Sequence, residues 1–333
     1  MPHARITGVG YYAPENIVTN ADLEAVMGTS DQWIRERTGI EQRHWFTRGT
    51  DTNANMAAKA AKMALERAAV LPTEIDMIVY ATITPDYFFP GSAFLMQREL
   101  GMEGITVFDI RQQCSGFIYA LSVADNFIKT GMKRNVLVVG SELQSTLMDK
   151  DPASRAFGVI FADGAGAVVV QATEDPDHRI LSTHLFADGT HAEELYVRDP
   201  GSSRYDRFIN EDLLKNGDFR LTFNGKAVFK HAVVRFSEAI QAALDANGYA
   251  PADLSLLVPH QANIRISEYV RDQLGLRDDQ VFNNIQHYGN TTAASIPIAM
   301  GEAWEQGLIK DGDLLCLAAF GSGFTWASAL IRW

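Results

Sequence analysis

Residues 105–121 read Ile105-Thr106-Val107-Phe108-Asp109-Ile110-Arg111-Gln112-Gln113-Cys114-Ser115-Gly116-Phe117-Ile118-Tyr119-Ala120-Leu121. The run of apolar β-formers up to Ile110 leads directly into a helix-like apolar segment, so a strand feeds a helix whose first residue is a thiol. A helix N-terminus carries unpaired N–H groups and partial positive charge, which predicts a lowered thiol pKa at Cys114. The other cysteine, Cys316, lies within Leu314-Leu315-Cys316-Leu317-Ala318-Ala319-Phe320 and reads as a buried strand residue. Far downstream come Pro259-His260-Gln261-Ala262-Asn263 and Gly289-Asn290-Thr291-Thr292-Ala293-Ala294-Ser295. Together with Cys114 they suggest a Cys/His/Asn site for acyl chemistry.

Composition narrows the class. At 333 residues, with 47% hydrophobic and 21% charged residues, the chain can bury a large core. No stretch has signal-peptide or membrane-spanning character, and two cysteines form no disulfide framework, so a cytoplasmic location without membrane attachment is expected. A net charge of −12 argues against nucleic acid as a partner. The remaining histidines show no metal-ligand spacing, and no metal is expected.

Strand and helix patterns alternate from end to end, the signature of an α/β fold. Helices are expected at 53–69, 115–131, 228–247 and 265–274, and strands at 77–81, 135–140, 166–171, 254–258 and 314–320. The polar stretch 191–220 reads as a long loop or insertion. The chain also echoes itself: 74–81 resembles 253–260, the strand before Cys114 resembles 280–285, and 161–170 resembles 320–330. Duplicated halves place Cys114 and Asn290 at corresponding helix starts and His260 at a strand end, where α/β folds gather reacting groups.

These motifs, with Ile6-Thr7-Gly8-Val9-Gly10, Trp33-Ile34-Arg35-Glu36-Arg37-Thr38-Gly39, Asp163-Gly164-Ala165-Gly166 and Phe320-Gly321-Ser322-Gly323-Phe324-Thr325-Trp326, resemble the thiolase superfamily. Within it they resemble the β-ketoacyl-acyl-carrier-protein synthase III family, essentially end to end. The resemblance implies a thiolase fold of two duplicated half-domains in αβαβα layers, residues 1–174 carrying the cysteine and 175–333 the histidine and asparagine. It implies a cytoplasmic homodimeric acyltransferase of fatty-acid initiation that uses CoA thioesters as substrates and no cofactor. Cys114 would be acylated by an acyl-CoA, with backbone N–H groups of Cys114 and Ser322 as oxyanion hole. His260 and Asn290 would then donate hydrogen bonds to the enolate left when a malonyl thioester loses CO₂.

The same carry-over implies CoA contacts from Trp33, Arg37, Arg155, Gly225, Phe229 and Asn263. Phe89 would reach the acyl pocket of a neighbouring subunit, and Lys230 and Arg265 would dock an acidic acyl carrier protein. Three departures stand out. Gln112-Gln113 replaces the small residues common before the nucleophile, 191–220 is long enough to cover the substrate entrance, and Glu268 and Asp272 dilute the carrier patch around Arg271. Malonyl-CoA is therefore an alternative extender, and a condensing enzyme of secondary metabolism an alternative role. Condensation without decarboxylation calls for a carboxylate base, for which the loop 83–94 offers only Asp86.

Overall fold

The computed structural model describes residues 1–203 and 209–333. Five strands form one sheet in the order His3–Tyr12, Asp163–Thr173, Asn135–Leu143, Met77–Ala81, Thr106–Ile110. A second sheet runs Arg179–Ala187, Thr325–Arg332, Leu314–Gly321, Leu256–Pro259, and a parallel bridge from Leu257 to Val281 stands in the fifth position. The two orders correspond strand for strand. Met77–Ala81 pairs in parallel with both its neighbours, as Leu256–Pro259 does with Leu314–Gly321 and Val281. The remaining neighbours are antiparallel in both sheets.

Layering follows from which side chains each strand buries. Helices Gly116–Lys129 and Ser295–Glu305 lie between the sheets, where Phe117, Leu121, Ile296 and Met300 share one core with Val79 and Val138 of the first sheet and Val258 and Leu317 of the second. Helices Asn53–Ala68 and Ser92–Glu99 pack outside the first sheet, against Ile78, Tyr80 and Val139. Gly225–Asn247 and Ile264–Leu274 pack outside the second, against Leu257, Cys316 and Leu330. Alternate residues of one strand thus serve opposite layers, which is why the central strands read as unbroken apolar runs. The order is αβαβα, the thiolase fold.

Two local readings change. The strands Asn135–Leu143 and Asp163–Thr173 run beyond the expected 135–140 and 166–171, the second because Gly164 lies inside it. A Cβ on Gly166 would lie 2.6 Å from Pro297 Cβ, so glycine there admits the central helix. The Gly8-Val9-Gly10 pair has the same use, since a Cβ at either glycine would come within 2.2 Å of a carbonyl oxygen of helix Asn53–Ala68.

Among the described residues no helix is long and apolar enough to cross a membrane. Residues 204–208 of the 191–220 segment lie outside the described residues. Of the rest, Leu195–Tyr196 pairs with Thr222–Phe223 just beyond the segment, and Glu211–Asn216 is a short helix, so the stretch is not all loop.

Candidate active site

Each central helix is preceded by a single 3-10 turn, Gln113–Ser115 on one side and Thr292–Ala294 on the other. Gln113 and Thr292 open these turns at φ of 45° and 52°, a left-handed conformation that costs on the order of 1 kcal/mol or more for such residues. The turns pack together, with Gly116 beside Ala293, and Gly140 of strand Asn135–Leu143 admits the second turn: a Cβ there would lie 2.3 Å from the Ala293 carbonyl oxygen. The duplicated helix entrances therefore converge, and they carry Cys114 and Asn290 with them.

Cys114 thus lies in the 3-10 turn ahead of the helix and does not open it. The expected lowering of its pKa is overturned as well. Burial, and then the nearby Glu142 carboxylate, push the resting thiol up to about 12, and the alignment of its own backbone N–H only partly opposes this. Closing the thiol into a dry junction outweighs the helix terminus. The glycine turn closes over it: a Cβ at Gly321 would sit 2.8 Å from Cys114 Cβ and 3.0 Å from its backbone nitrogen. That contact brings the Gly321-Ser322 backbone beside the thiol, while the Ser322 hydroxyl donates to the Leu195 carbonyl.

His260 follows strand Leu256–Pro259, tied in by its N–H to the Ala318 carbonyl at 2.8 Å. It is 3% exposed, and burial alone pushes its imidazolium down to about 3, so the ring is neutral at physiological pH. Nδ1 lies 2.6 Å from Ser295 Oγ, and Nε2 has no partner among the described residues. Asn290 is held by its N–H to the Ile160 carbonyl, and its Oδ1 accepts the Thr292 N–H at 2.9 Å. That bond fixes which end of the amide is which and leaves Nδ2 as a donor.

Cys114 stands where two cavities meet. A narrow channel of about 90 Å³ is lined by Cys114, His260, Asn290, Asn263, Gly225 and Phe229. A wider chamber of about 680 Å³ opens on the other side, past Gln113, Thr84, Gln144 and Thr292. Leu195 and Phe161 wall both. The 191–220 segment therefore reaches the heart of the site through Leu195, and Tyr196, Val197 and Pro200 line the wider chamber; it is not confined to the entrance. A nucleophile, a neutral imidazole and a fixed amide around one channel suit thioester exchange followed by oxyanion stabilisation.

Comparison with known proteins agrees with this geometry. The sequence profiles of 3-oxoacyl-[acyl-carrier-protein] synthase III and of its C-terminal region match residues 108–189 and 244–333. The chain is 46% identical over 331 residues to a β-ketoacyl-[acyl-carrier-protein] synthase III of Rhodospirillum centenum, covering 98% of each chain. The chain belongs to the synthase III family.

Two solved structures place it further. A 3-oxoacyl-[acyl-carrier-protein] synthase III of Aquifex aeolicus superposes with a TM-score of 0.91 at 42% identity, over 99% of this chain and 100% of that one. The priming β-ketosynthase of a polyketide pathway superposes at 0.90 with 32% identity, over 99% and 96%.

Of the residues expected to contact CoA, Gly225, Phe229 and Asn263 line the narrow channel, whereas Trp33, Arg37 and Arg155 line neither cavity and cluster with one another. The Arg37 and Arg155 guanidinium groups lie 4.7 and 5.3 Å from the Trp33 ring centroid. Asn263 lines the channel, although its Nδ2 donates to the Arg37 carbonyl and its Oδ1 accepts from Arg265 N–H. Lys230 and Arg265 are exposed, with Arg265 over the Phe229 ring at 5.8 Å. Arg271 is paired with Asp272 and Asp278 and adds little free positive charge. Phe89 is 79% exposed and lines neither cavity of its own chain; Phe88 borders the wider one. Among the described residues no cluster of three or more His, Cys, Asp or Glu could hold a metal.

Two carboxylates lie near the site, Asp86 lining the wider chamber and Glu142 close enough to act on Cys114. Asp86 accepts the first N–H groups of helix Asn53–Ala68 and the Ser92 hydroxyl, a structural cap. Glu142 was not legible as a site residue, because it sits in an apolar strand with no motif around it. It is wholly buried, accepts from Thr84 Oγ1 at 2.8 Å and from Ile83 N–H, and contacts Gln144, which in turn donates to Thr292.

Burial pushes Glu142 from 4.5 up to about 8. The native fold keeps a proton that the unfolded chain releases, so this group's contribution to stability is full below about pH 4.5 and is lost as pH rises through 8. Glu142→Gln, neutral throughout, is expected to gain thermal stability relative to the native chain as pH rises from 4.5 to 8.5. A difference in melting temperature that stays constant over that range would show that the carboxyl ionises normally.

Proposed function

We propose that the chain condenses an acyl-CoA starter with a malonyl thioester by a decarboxylative Claisen reaction, as in the initiation of fatty-acid synthesis. The observation that carries this reading is one channel bordered by a thiol, an imidazole Nε2 unpartnered among the described residues, and an amide whose oxygen is already engaged. The Cys114 sulfur attacks the acyl thioester carbonyl, whose oxygen is received by the N–H groups of Cys114 and Ser322. The thiol proton ends on the departing CoA sulfur, so acylation needs no net base. A malonyl thioester then loses CO₂, and the enolate oxygen takes hydrogen bonds from His260 Nε2 and Asn290 Nδ2. The enolate carbon attacks the acyl-enzyme, and the expelled Cys114 thiolate is reprotonated from solvent.

Neutral donors suit this site. A charged group would have to be desolvated in the same dry pocket, whereas an amide and a neutral imidazole gain on the oxyanion only as it develops. CoA thioesters are the substrates, with no resident cofactor. Trp33, Arg37 and Arg155 bind the nucleotide end; Gly225, Phe229 and Asn263 line the pantetheine path. A cytoplasmic homodimer, with residues 1–174 and 175–333 as its half-domains, is part of this reading. Its support is the exposed edge strand Thr106–Ile110 and the exposed rings Tyr87, Phe88, Phe89 and Phe108. Phe89 would enter the partner's acyl chamber from there.

The direct test is intact-protein mass spectrometry after incubation with acyl-CoAs of graded length. An acyl increment is expected, and its dependence on chain length measures what the wider chamber takes. No increment from any acyl-CoA would overturn the CoA-primed reading, and a strong preference for an unusual starter would move the protein to secondary metabolism. Lys230 and Arg265 supply a second check. Their joint reversal to Glu is expected to raise the KM for a malonyl-carrier protein roughly tenfold at low salt and to leave malonyl-CoA unaffected. Equal effects on both extenders would rule out carrier docking at this patch.

A further inference from the structure

We propose that Ser295 is a positioning residue that sets the tautomer of His260, and so makes its Nε2 a hydrogen-bond donor; this rests on the role given to His260 above. Ser295 begins the central helix Ser295–Glu305 and is 2% exposed. Its Oγ lies 2.6 Å from His260 Nδ1 and also accepts the Gln261 backbone N–H at 3.4 Å. A hydroxyl has one proton to give, and Nδ1 is the acceptor within its reach among the described residues.

The two tautomers differ in what they strand. If Nδ1 held the proton, the Ser295 hydroxyl proton would be buried with no acceptor, and Nε2 would face the channel as a lone pair. With the proton on Nε2, Ser295 donates to Nδ1 and the buried hydroxyl is satisfied. Of this His260–Ser295 pair, the polar group then left without a partner among the described residues is Nε2–H, on a ring that lines the substrate channel. Leaving one buried polar group unpaired costs roughly 1–3 kcal/mol, enough to hold one tautomer. The neutral ring at physiological pH makes the tautomer matter, since an imidazolium would donate from both nitrogens.

Ser295 also couples the histidine to the amide. It follows the 3-10 turn Thr292–Ala294, whose Thr292 N–H holds Asn290 Oδ1. The two donors are thereby set by neighbouring residues of one helix start, and each has its second atom engaged in a fixed hydrogen bond.

The test compares Ser295→Ala with the native chain in three readouts: acyl transfer to Cys114, decarboxylation of a malonyl thioester, and ¹⁵N NMR of the histidine rings, with His260→Ala used to assign His260. Acylation is expected to stay within twofold. Decarboxylation is expected to fall roughly tenfold, less than the 10²–10³-fold of deleting a donor outright. The His260 signals are expected to change from a single Nε2–H form to a tautomer mixture, and Ser295→Thr to restore both.

Unchanged decarboxylation with an unchanged ring spectrum would overturn the proposal, and so would equal losses in both half-reactions, which mark a structural role. If the native chain itself shows neither half-reaction, the functional reading fails. The ring spectra of native and variant chains still decide the role of Ser295.

Discussion

Cys114→Ala is expected to show no mass increment with any acyl-CoA and to lose condensation by on the order of 10⁴-fold or more, the scale on which deleting a nucleophile acts. The residue is 8% exposed and packs against Gly321, so trading its sulfur for hydrogen removes little volume and the fold should persist. The two half-reactions should separate. His260 and Asn290 remain in place in this variant, so a malonyl thioester should still lose CO₂ although no acyl acceptor is present. Full condensation by Cys114→Ala would sink the covalent mechanism. Loss of both half-reactions would instead show that the thiol helps to shape the enolate site.

The second large effect falls on the enolate donors. His260→Ala or Asn290→Ala should each cut decarboxylation by 10²–10³-fold, about 3–4 kcal/mol, while acylation continues. The two losses should not add, because they stabilise one oxyanion together. Measuring CO₂ release from a malonyl thioester alongside the acyl mass increment separates the outcomes. Matching losses in both half-reactions would make His260 a base for the thiol and refute its assignment as a donor. Burial pushes His260 down to about 3, so no acid limb from this residue is expected between pH 5 and 8.

The layered architecture was legible because its central strands serve two cores at once. Runs such as Met77–Ala81 and Leu314–Gly321 can only be interior strands. Cys114, His260 and Asn290 were legible as well, since each sits in a short motif at a strand end or helix start. Their electrostatics were not. The helix entrance at Cys114 suggests an activated thiolate, but a nucleophile's pKa is set by everything that excludes water from it, and Glu142 and Gly321 are far away in sequence. One strand was read short for a related reason: it was expected at 166–171 but begins at Asp163, with Gly164 inside it, and the space that Gly166 leaves for Pro297 shows only once the opposing helix is known. The wall formed by Leu195 was hidden because a polar loop gives no sign of which surface it will cover.

The narrowness of the channel on the His260 side has a kinetic consequence. Cys114, His260, Asn290 and Phe229 all border one space of about 90 Å³ there, so starter and extender thioesters would approach the thiol by a shared lane. Traffic must then be single-file: free CoA has to back out before the extender can come in by the same lane. Reciprocal plots of rate against one substrate at fixed levels of the other should be parallel lines. An excess of extender should also block the unacylated enzyme in competition with the starter, so the ratio of the two thioesters, and not their sum, sets how fast new chains begin.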